Sequence, residues 1–77
     1  MSMESLIEKL QKFDHEEYNK TGELKGQYAV VRDYYSRFVQ SHKYEDLLYL
    51  LGVLTGLHAA GFITEEEFDQ VRGSLRL

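Results

Sequence analysis

The chain contains no cysteine, no proline and no tryptophan in 77 residues. Without thiols, no disulfide staples the fold and no thiolate zinc site can form. Redox compartment is therefore unconstrained by thiol usage. Without proline, only glycine interrupts helix, and the Asn-Gly and Asp-Gly signals of tight hairpins are absent too. Basic residues are outnumbered, nine Lys and Arg against thirteen Asp and Glu, for a net charge of -4. A protein that binds nucleic acid by neutralising phosphates needs the opposite balance, so no direct nucleic-acid partner is expected. The charge suits a cytoplasmic protein that binds proteins, basic ones included. Met1-Ser2-Met3-Glu4-Ser5 lacks a basic region followed by an apolar run, so no signal peptide is expected. From Leu47 to Ile63 no residue is charged at neutral pH, but this stretch is short for a membrane span. It holds three glycines, Thr55 and His58, and acids rather than Lys or Arg flank it. A buried core helix accounts for it better, and no membrane association is expected.

What is present reads as helix. The strongest local signal is Gly61-Phe62-Ile63-Thr64-Glu65-Glu66-Glu67-Phe68. Gly61 closes one helix in the left-handed conformation, and Thr64 with Glu67 forms a capping box for the next. Ile63 and Phe68 take the two positions of a hydrophobic staple, and the acids at 65 to 67 suit the positive end of the helix dipole. Upstream, Met3, Leu6, Ile7, Leu10, Phe13 and Tyr18 recur at helical spacing. They predict a first helix over about Met3 to Tyr18, capped by Ser2 or Ser5 and stopped at Asn19-Lys20-Thr21-Gly22. A second helix is expected from near Glu23 to about Ser41, with Leu24, Tyr28, Val31, Tyr35 and Phe38 as its stripe. Val30, Tyr34 and Val39 widen that stripe, and Gly26 weakens its first turn. Ser41-His42 marks a break. The third helix, about Lys43 to Ala60, is apolar almost all round and so belongs at the centre. Tyr44, Leu47, Leu48, Leu51, Leu54, Leu57 and His58 are assigned to its broad inner face, with Leu50 and Val53 outside it. The fourth helix runs from Glu65 to about Leu75, with Phe68, Val71 and Leu75 inward and Arg72 and Arg76 near its C-terminal end. The fold class is all-α: one domain, a small bundle of three or four helices with a C-terminal helical hairpin.

Few residue constellations carry chemistry. Asp14-His15-Glu16-Glu17 offers metal-binding side chains, but on a helix they point in different directions and read as a solvated face. His15, His42 and His58 are scattered. There is no Gly-x-Ser-x-Gly elbow and no phosphate-cradling glycine loop. No catalytic residue, metal or cofactor is expected, and the chain is read as non-enzymatic. Six tyrosines are many for this length. Tyrosine favours boundaries and interfaces, and Tyr34 and Tyr49 are the expected partner-facing aromatics. Glu16 and Glu17 join them as partner-binding candidates, within an acidic set that includes Glu4, Glu8, Glu65, Glu66, Glu67 and Asp69. Gly52, Gly56 and Ala60, four apart, form a small-residue groove on the third helix. Internal packing against the first or second helix is the expected use of that groove, and a homodimer seam is the alternative.

Leu54-x-x-Leu57, then Gly61 to Phe68, then Leu75 resembles a SHOCT-type short helical module over about a third of the chain. Asp69 and Gln70 stand where that module usually carries basic residues. The resemblance implies a docking or assembly element rather than a chemistry. In size and composition the whole chain is also similar to small acidic proteins of phages and mobile elements of Gram-positive bacteria. Some of these block host enzymes, CRISPR nucleases among them. The functional expectation is a protein-binding module, in its specific form a small phage-type inhibitor or regulator, with a self-assembling structural module as the alternative.

Overall fold

The computed structural model describes residues 1–23 and 26–75. Leu24, expected on the second helix's stripe, and Arg76, expected near the C-terminal end of the fourth helix, lie outside the described residues. Among the described residues four helices follow one another: α1 Met3–Thr21, α2 Gln27–Ser41, α3 Tyr44–Ala59 and α4 Glu65–Ser74. The all-α expectation holds, and the described residues contain no strand. No described helix is long and apolar enough to cross a membrane.

Local chemistry sets the boundaries. Ser2 caps α1 by accepting the Ser5 N–H at 3.2 Å, so Ser5 sits inside the helix instead of capping it. The helix runs one turn past Tyr18, until the Gly22 N–H returns to the Tyr18 carbonyl at 2.8 Å. Helix α2 starts later than the sequence suggests, because Gly26 adopts φ 79°, a left-handed conformation that cannot continue a helix. At its other end His42 is left-handed, with φ 54°, and its ring meets Phe38 edge-on at 6.5 Å. Ser41 bridges to α3: its hydroxyl donates to Asp46 and accepts the Lys43 N–H.

The 61–68 corner forms as its sequence dictates. Gly61 has φ 85°, the Gly61 N–H bonds His58 O at 3.1 Å and the Phe62 N–H bonds Leu57 O at 3.0 Å. These are the two bonds of a Schellman terminus. The Glu67 N–H donates to Thr64 Oγ1 at 3.1 Å, and the Thr64 N–H to Glu67 Oε1 at 2.9 Å, completing the capping box. Ile63 is buried in the core and Phe68 packs against it.

Each helix packs on two neighbours, α1 on α2, α2 on α3, α3 on α4 and α4 on α1. The core they enclose takes Met3, Leu6 and Leu10 from α1, Val31 and Phe38 from α2, Leu47, Leu50, Leu54 and Leu57 from α3, and Ile63, Val71 and Leu75 from the C-terminal hairpin. Polar ties close the seam between α1 and the hairpin. Lys9 Nζ donates to both Glu67 oxygens at 2.7 Å, and the N-terminal ammonium donates to Gln70 Oε1 at 2.7 Å.

Candidate functional site

The faces of α3 differ from those assigned from sequence. Leu50, placed outside the inner face, is fully buried, and Val53 packs against the core. Tyr44 and Leu48, placed inside, are 64% and 48% exposed. The buried strip Leu47–Leu50–Leu54–Leu57 advances by three, four and three residues, which holds one side of a helix against its neighbours. Because α3 is apolar nearly all round, periodicity alone could not orient it.

The opposite side of α3 carries Tyr44, Glu45, Leu48, Tyr49, Gly52, Thr55, Gly56, Ala59 and Ala60, all exposed. Glu45 is the one charged residue among them. A Cβ built on Gly52 or Gly56 would meet nothing within 4 Å. The expected internal packing is therefore not found among the described residues: no described helix crosses the Gly52–Gly56 groove.

Helix α2 extends this apolar surface. Val30 is exposed, and Val30 and Val53 line a shallow cleft of about 210 Å³ together with Gly26, Gln27, Val31, Gly56 and Leu57. The Tyr34 and Tyr49 rings lie 6.4 Å apart and bridge α2 to α3, and the Arg37 guanidinium sits 5.3 Å from the Tyr34 ring centre. Tyr34 is half-buried and Tyr49 is 60% exposed. The structure thus brings Tyr34, Tyr49, Gly52 and Gly56 to one side of the bundle.

Glu16 and Glu17 are elsewhere. The pairs Glu4–Tyr35 and Asp14–Tyr28 set α1 antiparallel to α2, so Glu16 and Glu17 lie at the far end of α1 from the level of Tyr34. Much of the remaining acidic set has local work. Glu67 binds Lys9 and caps α4, Asp69 meets Arg72 at 3.1 Å, and Glu4 accepts the Tyr35 hydroxyl at 3.0 Å. The Glu67 carboxyl is held below its ordinary range by the Lys9 ammonium first and the Thr64 amide second. Glu4 is also lowered, by its own backbone amide first and by Tyr35 next. The Tyr35 phenol is pushed up by burial, and further by its bond to Glu4.

Asp14 was assigned to a solvated face, but it is the one buried charged residue among those described, at 5% exposure. Its Oδ2 accepts the Tyr28 N–H at 2.8 Å, so α1 caps the first turn of α2. Gly26, at the N-cap position, has no side chain to do so. Two signals in the sequence pointed to this role. Asp14 continues the Met3–Leu6–Leu10 stripe at helical spacing, and the second helix opens on a glycine. Two further hollows are open to solvent: one is lined by Glu45, Leu48 and Tyr49, another by Gln11, Asp14, His15, Tyr18 and Tyr28. No group of three or more His, Cys, Asp or Glu that could hold a metal ion occurs among the described residues. Comparison with family models, curated proteins and solved structures finds no match to this chain.

Proposed function

We propose that this chain is a non-enzymatic protein-binding module that docks a partner on the outer side of α3 and the adjoining edge of α2. One observation carries the proposal. Gly52 and Gly56 each cost the helix about 0.5–1 kcal/mol relative to alanine, yet nothing among the described residues occupies the space they leave open. Close approach by another molecule gives those glycines a use. Tyr49, Leu48 and Val30 supply exposed apolar and aromatic surface around them, and tyrosine is a favoured interface anchor. Small size and a net charge of -4 suit a regulator or inhibitor that covers a surface of another protein, including a host enzyme that handles nucleic acid. The second reading is a homodimer through the same groove, favoured by the four-residue spacing of Gly52, Gly56 and Ala60, which lets two helices approach closely.

Photo-cross-linking tests this in cells. A benzophenone side chain replaces Tyr49 in one variant and Glu65 in a control. The expected result is a discrete adduct from position 49 and none from position 65. An adduct with another protein supports the regulator, and an adduct with a second copy supports the homodimer. Equal labelling from both positions, or none from position 49, contradicts the proposed face.

A further inference from the structure

We propose a second recognition site, independent of the α2–α3 face: the hollow between the C-terminal half of α1 and the first turn of α2 receives a guanidinium group, the arginine side chain of a basic protein partner. The hollow measures about 460 Å³ and is lined by Gln11, Asp14, His15, Tyr18 and Tyr28. The first four share one side of α1, and Tyr28 is the second residue of α2. Neither Tyr34, Tyr49 nor the α3 glycines line it.

Asp14 supplies the recognition chemistry. Its Oδ2 is engaged by the Tyr28 N–H, but its Oδ1 is buried and accepts no hydrogen bond. A carboxylate oxygen withdrawn from water without a donor is an unfavourable state, and a ligand that brings N–H groups relieves it. The lining contains that carboxylate and no lysine or arginine. Oδ1 is itself covered; the side chains of Gln11, His15 and Tyr18 around it are exposed and free to change rotamer, which gives a guanidinium access.

The rings decide which cation fits. Tyr28 already takes a guanidinium on its ring, that of Arg32 at 5.1 Å. Arg32 is held by Asp33 at 3.2 Å and does not line the hollow. Tyr18 is 53% exposed, and its ring has no partner among the described residues. A guanidinium is planar, weakly hydrated and carries several donors, so it can stack on the Tyr18 ring while an edge meets the carboxylate. An ammonium offers a point charge without the stacking plane.

The test is an NMR titration of the isotopically labelled protein with N-acetyl-arginine amide, set against its neutral isostere N-acetyl-citrulline amide. The arginine probe should give saturable shifts centred on the Tyr28 amide and on Gln11 to Tyr18, and the citrulline probe should give none. Asp14→Asn keeps an oxygen for the Tyr28 N–H while removing the charge, and should raise Kd about tenfold. Tyr18→Ala removes an exposed ring and should raise Kd about threefold with unchanged thermal stability. Shifts reproduced by citrulline, shifts spread evenly over the other carboxylates, or an unchanged Kd in Tyr18→Ala overturn the proposal. The Tyr18 variant decides alone if Asp14→Asn does not fold.

Discussion

Helix α2 begins behind a glycine that has no side chain to cap it, and Asp14 of α1 provides the missing acceptor. Losing a capping side chain typically costs about 1 kcal/mol, within a range of roughly 0.5–2. Asp14→Ala should therefore lower unfolding free energy by about 1–2 kcal/mol in urea titration, and the loss should be accompanied by faster amide exchange at Tyr28. Glu67 gives a pH prediction. Its folded-state carboxyl titrates below its ordinary value of 4.5, because Lys9 and the Thr64 amide favour the charged form. The resulting stability is fully present above that value and is lost as pH falls through the lowered one. Stability measured as pH drops below about 4.5 should fall less steeply in Glu67→Gln than in the parent chain. An identical slope would show that neither Lys9 nor the Thr64 amide favours the charged form of Glu67 in the folded chain. At this scale the capping box was legible, because all its partners lie within four residues. Asp14 was harder to read, because its partner lies fourteen residues away and the run Asp14-His15-Glu16-Glu17 resembles a solvated face.

At the scale of the helix, α3 has two apolar sides with different duties. Leu50 is fully buried, while the glycines opposite it face open space. Leu50→Ala should cost about 2–5 kcal/mol, the usual range for deleting a buried leucine side chain. The double change Gly52→Ala with Gly56→Ala should instead raise stability by about 1–2 kcal/mol, since alanine favours helix and its methyl meets nothing. The same double change should weaken partner capture, because it fills the groove. Thermal or urea unfolding checks both signs. The existence and limits of α3 were readable from its charge-free run and the Gly61 corner. Its orientation was not, because a helix apolar on all sides has no preferred face in sequence. Only the packing of α2 and α4 selects Leu50 over Leu48. Helix α2 shows a related failure: its stripe was correct at Val31 and Phe38, but its start was displaced by the left-handed Gly26.

For the whole molecule, a continuous core drawn from all four helices is closed by one copy of the chain. The Cα radius of gyration is 12.4 Å, close to the roughly 11.5 Å expected of a compact domain of this length. Leu50, assigned from sequence to the outside of α3's inner face, is fully buried in that core. The exposed apolar residues of the proposed α2–α3 docking face, Val30, Leu48 and Tyr49, lie outside that core. Sedimentation velocity over a wide concentration range, with helicity followed by circular dichroism on the same dilutions, tests this division between core and docking face. The expected result is a fully helical monomer at the dilute end, with any self-association confined to high concentration. A dimer that persists to the lowest concentration and loses helicity as it dissociates would contradict it, because the outer side of α3 would then be part of the folding core.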